Sequence, residues 1–378
     1  MFVEHNRWTS ARGWESGSLG HIASGAQLVL LFGSREVLGQ GRHVEHVRAA
    51  FPGAHVVGCS TAGEIHGTEV TDDSLVVTAV RFEHTRVETA KTRVEGGADG
   101  FGAGQRLGRS LAHAGLVHVF VLSDGLGVNG SELVRGLTET LPPEVSLTGG
   151  LSGDGAAFAQ TVVLCDGPPE TNVVAAVGFY GARLEVGYAS QGGWDPFGPE
   201  RLITRSQGNV LFELDRRSAL DLYKSYLGAH SAGLPATGLL FPLSLRTADG
   251  QTGLVRTILA VNEAEGSMTF AGDMPEGAYA RLMRANFDRL IDGSTGAARS
   301  SAAGVRGEPD LAILISCVGR KLVLKQRIEE EVEGVRDVLG PRTLLTGFYS
   351  YGEISPFTPG AKCSLHNQTM TITTFKER

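Results

Sequence analysis

Apolar and polar positions divide the chain into short, solid apolar runs closed by small residues. The first, Gln27-Leu28-Val29-Leu30-Leu31-Phe32-Gly33-Ser34, has no polar alternation, as expected of a strand covered on both faces. Helical spacing follows over residues 37–50 and stops at Pro52-Gly53. His55-Val56-Val57 reads as a strand, a glycine turn covers residues 58–65, and residues 75–82 return as another strand. The same order recurs from Val117. A strand over 117–125 leads to a helix begun by Ser131-Glu132-Leu133-Val134 and ended by Pro142-Pro143. Residues 145–148 then enter Gly149-Gly150-Leu151-Ser152-Gly153-Asp154-Gly155, and strands follow at 161–165 and 172–180. A third pass starts at Leu311-Ala312-Ile313-Leu314-Ile315. Its helix over 324–339 ends at Gly340-Pro341, and a second glycine-rich turn at 347–354 precedes a last strand over 370–375.

Each pass takes roughly 30–36 residues from first strand to glycine turn, which predicts an internally repeated strand–helix–strand–glycine turn–strand unit. Between the second and third passes the pattern changes. Strands are predicted at 184–189, 202–206, 209–215 and 267–271, helical spacing at 218–227, and a hairpin across Asp249-Gly250 with arms at 241–245 and 254–261. Asp273-Met274-Pro275-Glu276-Gly277 reads as a helix start, residues 279–291 as an amphipathic helix, and the Gly/Ala/Ser-rich stretch 293–307 as a linker or loop. Residues 1–20, with Trp8 and Trp14, read as a partly ordered arm carrying one packing aromatic.

Composition narrows the function classes. A chain of 378 residues predicts two domains and a core that needs no staples. Its net charge of -7 is spread without a Lys/Arg block, which argues against a nucleic-acid surface as the main function. Four scattered cysteines without a Cys-x-x-Cys pair are neither a disulfide framework nor a zinc site, and fit reduced thiols. The polar N-terminus has no signal-peptide core, and no run reaches the roughly 18 apolar residues of a membrane helix. A cytoplasmic protein with no membrane contact is therefore expected.

Chemistry concentrates in two matching turns, Gly58-Cys59-Ser60-Thr61-Ala62-Gly63-Glu64-Ile65 and Gly347-Phe348-Tyr349-Ser350-Tyr351-Gly352-Glu353-Ile354. Both read Gly-x-x-[Ser/Thr]-x-Gly-Glu-Ile, and small residues at a strand end let backbone N–H groups approach a ligand or a neighbouring chain. Cys59 beside such groups is either a nucleophile or a small packed residue. The second turn carries Phe348 in its place, so the motif does not need a thiol. A nucleophile elbow, a Walker loop and a dinucleotide fingerprint are all missing. Glu64 and Glu353 either meet across a pseudo-twofold axis in a shared pocket, binding an amine, or cap neighbouring backbone N–H groups. Asp124, Asp154 and Asp273 sit in glycine-rich tips and invite the same two readings, with turn formation favoured. Tyr349 and Tyr351 alternate around Ser350 and share one strand face, as pocket lining or as core. His366 is either a structural imidazole or an axial haem ligand.

Together with Gly208-Asn209-Val210-Leu211-Phe212-Glu213-Leu214-Asp215, Phe270-Ala271-Gly272-Asp273-Met274-Pro275-Glu276-Gly277, Ser355-Pro356 and Leu365-His366-Asn367-Gln368-Thr369-Met370-Thr371, these turns resemble the FIST sensory proteins over nearly the whole chain. The resemblance implies an N-terminal and a C-terminal FIST module, set here at residues 25–218 and 219–378 after an arm over 1–24. It implies an α/β fold of mixed sheets flanked by helices. It also implies a non-enzymatic, intracellular small-ligand sensor without an appended output module, signalling through a separate partner. One subset of the family binds haem, senses nitric oxide and acts on a histidine kinase, so the ligand stands open between an amino-acid-like metabolite and haem with nitric oxide. The expected ligand site is Gly58, Cys59, Ser60, Thr61, Gly63, Glu64, Ser152, Asp154, Tyr349, Ser350, Tyr351, Gly352, Glu353, His366 and Asn367, with His366 as the metal ligand if haem is bound. An enzyme using Cys59 as thiol nucleophile is the competing class.

Overall fold

The computed structural model describes residues 1–95, 99–247, 253–358 and 360–378, and it shows an α/β protein of mixed sheets flanked by helices. Three units carry the fold. The first has strands Leu28–Gly33 and His55–Ser60 joined by helix Arg42–Ala50, then a return strand Ser74–Arg81. The second has Leu116–Ser123, helix Gly130–Thr140, Ser146–Leu151 and return strand Val173–Tyr180. The third has Leu311–Cys317, helices Val318–Leu324 and Ile328–Leu339, Leu344–Ser350 and return strand Met370–Glu377. In each, the first two strands pair in parallel and the return strand lies antiparallel to the first. Solid apolar runs form the inner strands because both faces are covered.

Beyond each glycine turn the chain crosses into another unit. The first unit's hairpin, Glu64–His66 and Glu69–Thr71, pairs with Leu344–Ser350 of the third. The third unit's hairpin, Gly352–Pro356 and Cys363–His366, pairs with Ser146–Leu151 of the second. The second unit's strand Val163–Cys165 pairs with His55–Ser60 of the first. Strands are thus exchanged around a closed ring of three, and the second pass is a full member of the repeat. The third unit, inside the predicted C-terminal module, is threaded into both units of the N-terminal one.

Each sheet gains an outer antiparallel strand: Phe2–Thr9 for the first unit, Arg86–Arg93 for the second, Leu184–Gln191 for the third. The first corrects the predicted arm. Phe2–Thr9 pairs along its whole length with Ser74–Arg81, and both Trp8 and Trp14 pack on the His43/His46 helix. His43 is accordingly buried, not on a solvent face. Strand Arg86–Arg93 and helix Gly100–Leu111 had no predicted counterpart.

A fourth sheet, antiparallel and built around its own apolar cluster that includes Ile203, Leu220, Tyr223 and Phe270, is inserted between the second and third units. Several predictions are corrected here. Residues 279–291 are not one helix: Tyr279–Arg284 is a strand, and the helix Phe287–Ala302 begins at the cap Asn286, whose Oδ1 accepts from the Arg289 amide. Asp273 starts no helix. The 293–307 stretch is mostly helix, and its small residues serve close packing: a Cβ at Gly293 would lie 2.0 Å from the Gly192 carbonyl oxygen. The single helices predicted over 37–50 and 324–339 are each broken, at Gly41 (φ +70°) and at the 3-10 turn Lys325–Arg327. Strands Leu243–Arg246 and Leu254–Arg256 pair as the predicted hairpin, while the Asp249-Gly250 turn lies outside the described residues. No helix among the described residues is long and apolar enough to cross a membrane.

Candidate functional site

Superposing the ring's connections aligns the three turns residue by residue. Leu31–Gly58, Val121–Gly149 and Leu314–Gly347 are the same parallel pair in each unit. Each glycine sits so close to the neighbouring strand that a Cβ would fall 2.0, 1.9 or 1.8 Å from the carbonyl oxygen of Leu31, Val121 or Leu314. Four residues on, the turns bind one another. The Ala62 amide donates to the Tyr349 carbonyl at 2.8 Å, the Gly153 amide to Ser60 at 2.9 Å, and the Tyr351 amide to Leu151 at 3.2 Å. The structure therefore brings Gly58–Glu64, Ser152–Asp154 and Tyr349–Glu353 together at one place. What holds them is backbone hydrogen bonding in a buried ring.

The carboxylates are cradled separately. Glu64 accepts from the Thr61 hydroxyl through Oε1, and from the Ser74 amide (3.1 Å) and hydroxyl (2.6 Å) through Oε2. Glu353 repeats this with the Ser350 hydroxyl (2.6 Å) on Oε1 and the Thr369 amide (3.1 Å) and hydroxyl (2.9 Å) on Oε2. Both are fully buried, and burial outweighs these bonds, pushing the carboxyls up to about 7 and about 8. Two matching cradles in a ring of three favour the capping reading over a pseudo-twofold amine pocket. The second unit departs from the pattern: Gly155 takes the glutamate's place and Val173 the place of Ser74 and Thr369. Its hydroxyl remains, and Ser152 Oγ is buried with no partner among the described residues.

Most other predicted site residues serve structural bonds. Gly63 (φ +133°) lies under Lys321, whose ammonium donates to the Ala62 carbonyl at 2.9 Å and contacts the Asp72 carboxylate. Gly352 abuts Leu151, and Ser60 Oγ accepts from the Val162 amide at 3.0 Å. The Tyr349 hydroxyl donates to Glu331 at 2.6 Å, and Glu331 is in turn paired with the fully buried Arg320 at 2.7 Å. Tyr351 donates to Asp154 and stacks on Phe158 at 4.4 Å, while Asp154 Oδ2 accepts from the amides of Ala159 and Gln160. Asp124 likewise holds its own loop, accepting from the amides of Leu126, Gly127 and Asn172.

Cys59 lies in the apolar core between the first and second units, and burial together with Glu64 pushes its thiol well above the ordinary range. A thiolate there is strongly disfavoured, so the nucleophile reading loses its chemical basis. Iodoacetamide at pH 7 is expected to leave Cys59 unmodified in the folded chain; stoichiometric labelling within minutes, read by peptide mass, would restore the enzyme class.

His366 does not fit an axial haem ligand. Its Nε2 meets the Ser355 carbonyl oxygen at 2.7 Å, Phe357 packs on the ring at 4.1 Å, and Nδ1 is buried without a partner among the described residues. Burial lowers its pKa to about 4. Neighbouring Asn367 donates to the Tyr351 carbonyl at 3.4 Å, and its buried Oδ1 has no partner among the described residues. No group of three or more metal-ligating side chains is present among the described residues.

The more open site lies between the second unit and the inserted sheet. Ser131, Arg135 and Thr138 on helix Gly130–Thr140 face Arg256, Asp273 and Lys362 across a cavity of about 320 Å³. A second cavity of about 250 Å³ is lined by residues 125–129, Leu151, Asn209, Leu259 and Phe270. Asn129 Nδ2 donates to Asp273 Oδ1 at 2.9 Å, linking the two linings. Arg256 is 4% exposed and makes no ion pair among the described residues. Its Nε donates to the Asp273 carbonyl and its Nη1 to the carbonyls of Val255 and Leu365, which leaves Nη2 without a hydrogen-bond partner among the described residues. Burial lowers this guanidinium to about 10, and the Asp273 charge opposes the shift. A buried cation with no close ion pair is costly, and this one lines a cavity together with the Asp273 carboxylate and two further cations, Arg135 and Lys362. Sequence reasoning missed Arg256. The signal was present, since it is the one charged residue in the otherwise apolar run Leu254-Val255-Arg256-Thr257-Ile258-Leu259.

A family model of the FIST N domain matches residues 27–217, and one of the FIST C domain matches residues 219–356. No curated protein matches the chain. Among solved structures, the crystal structure of a cyanuric acid hydrolase from A. caulinodans aligns over 100% of this chain and 99% of its own, at 10% identity and a TM-score of 0.37. At that score the likeness carries no inference about activity.

Proposed function

This chain belongs to the FIST family, and we propose from that premise that it is a non-enzymatic small-ligand sensor whose ligand carries a carboxylate, an amino-acid-like metabolite being the class we favour. The ligand is taken up in the cleft between helix Gly130–Thr140 and the inserted sheet. The supporting observation is Arg256: a buried guanidinium, lining a cavity, with no ion pair and no hydrogen-bond partner for Nη2 among the described residues. A ligand carboxylate supplies both, and Arg135 and Lys362 add to the positive field at the same cavity. The cleft joins the two FIST modules, so an occupied state binds both sides at once and shifts their equilibrium. Its readout passes to a separate signalling protein, with a histidine kinase as the class we propose. Four buried, unpaired cysteines support an intracellular setting.

The test is isothermal titration of the full chain with a panel of amino acids and dicarboxylates. At least one is expected to bind with a 1:1 isotherm, and Arg256→Met to weaken it about 10–100-fold. Arg256→Lys, which keeps the charge and loses the fork, should retain part of the affinity. Binding that is indifferent to Arg256→Met, or no carboxylate bound across the panel, would overturn the reading.

A further inference from the structure

We infer that a second site, an apolar groove on the C-terminal module, binds a single-chain amphiphile with an anionic head, specifically a free medium-chain fatty acid. The groove lies where three segments meet. These are the 3-10 turn Ala236–Leu240, the link from strand Tyr279–Arg284 into helix Phe287–Ala302, and the helix Val318–Leu324 with the turn after it. Leu239, Leu240, Phe241, Phe287, Leu322 and Val323 line a cavity of about 550 Å³. That is the size of a small-molecule site rather than of a shallow surface dimple. Phe287 is 47% exposed on its wall, with the Arg327 guanidinium over its ring at 5.9 Å, so nearly half of a large aromatic is left in water there.

The charges around the groove select its occupant. Arg284 and Lys325 are both exposed, both line the groove, and neither side chain has a hydrogen-bond or ion-pair partner among the described residues. None of the lining residues carries a carboxylate. The acids on nearby elements are engaged elsewhere. Asp288 and Glu330 are bound by Arg327, and Asp195, which faces Arg284 across the strand pair and acts on its charge without a close ion pair, is bound by Arg289 and Asn286. The groove thus offers apolar walls for a tail and two unpaired cations for a head, with no carboxylate in its lining to repel an anion. A neutral lipid would leave both cations without a partner, and a small polar acid such as acetate would leave the walls in water. A fatty acid satisfies both parts.

The site is separate from the Arg256 cleft, which shares no lining residue with it. Its test therefore fails or succeeds independently of the sensor reading. Dodecanoate, kept below its micelle concentration, is titrated into the full chain alongside hexanoate, decanoate, acetate and dodecanol. One saturable site is expected, with affinity rising roughly three- to fourfold per methylene from hexanoate to decanoate, acetate silent, and dodecanol at least about tenfold weaker than dodecanoate. The double variant Arg284→Glu/Lys325→Glu should weaken dodecanoate at least about tenfold with the thermal midpoint unmoved, since both side chains are exposed. Phe287→Ser should weaken it while the chain keeps its oligomeric state. Arg256→Met should leave it unchanged. Equal binding of acid and alcohol, indifference to charge reversal, or no saturable binding would each overturn the inference. A change of oligomeric state in Phe287→Ser would assign the groove to a second copy of the chain instead.

Discussion

Gly347→Ala is expected to destabilise the folded chain by about 3 kcal/mol or more, with Gly58→Ala and Gly149→Ala costing about the same. The added Cβ would meet a backbone carbonyl oxygen at 1.8–2.0 Å in all three cases, and that atom belongs to the adjacent parallel strand. A flexible side chain could swing away, but a strand carbonyl cannot move without breaking its ladder. Each of these strands also receives a strand from another unit, so a shift propagates around the ring. Thermal unfolding midpoints should fall by roughly 4 °C or more. Gly39→Ala is the control. It lies in a helix with nothing within 4 Å of its added carbon, and it should be neutral or slightly stabilising. Loss at one or two of the three glycines, with the third tolerant, would contradict their equivalence in the ring.

That equivalence was only half legible in the sequence. Solid apolar runs revealed the inner strands, and Gly-x-x-[Ser/Thr]-x-Gly-Glu-Ile exposed two of the three turns, because buried strands and close-approach glycines are local constraints. The second turn hid its membership. Its glutamate is replaced by Gly155 and the matching hydroxyl by Val173, and the bare Ser152 left behind looks like any loop serine. Which sheet each hairpin joins is a non-local choice, and nothing in Glu64–His66 names Leu344–Ser350 as its partner. The 293–307 stretch misled for a related reason. Gly293, Gly296, Ala297 and Ala298 suggest a flexible segment by composition, yet they are small because a helix packs against the backbone of residues 191–193 and the neighbouring strand. The site suffered most. The turns drew attention through their polar residues, and the structure uses those residues to hold the ring closed. Arg256 stood in a strand that periodicity could place but whose uncompensated charge only the fold reveals.

The twin cradles make stability depend on pH in a direction opposite to that of an ordinary salt-bridged carboxylate. Glu64 and Glu353 keep their protons in the folded chain up to about 7 and about 8, while the unfolded chain releases them near 4.5. Their folded values lie above the unfolded ones, so the stability they confer is complete at low pH and is lost as pH rises through the folded values. Histidines act the other way. His5, His43, His66, His118 and His366 are pushed down by burial and take up protons more readily in the unfolded chain, so they penalise folding below their ordinary value of 6.5, and the penalty fades over about one pH unit above it. Between pH 6.5 and 8 the carboxyl share is the difference between the wild type and the Glu64→Gln/Glu353→Gln double variant, because the histidines, including His55, which Asp166 holds above its ordinary value, titrate alike in both. Across that window the two carboxyls are expected to remove about 2–3 kcal/mol, the sum of what remains of the two titrations at 1.36 kcal/mol per unit. Urea unfolding at pH 6.5 and 8 measures it directly. Glu353→Gln should remove most of this carboxyl share and Glu64→Gln a smaller part, while the slope of the double variant should report the histidines alone. Any general loss of stability from the amides shifts both pH points together and leaves the slope as the readout. A wild type and a double variant with the same slope between pH 6.5 and 8 would mean that the cradles hold carboxylates, with six donated hydrogen bonds outweighing burial.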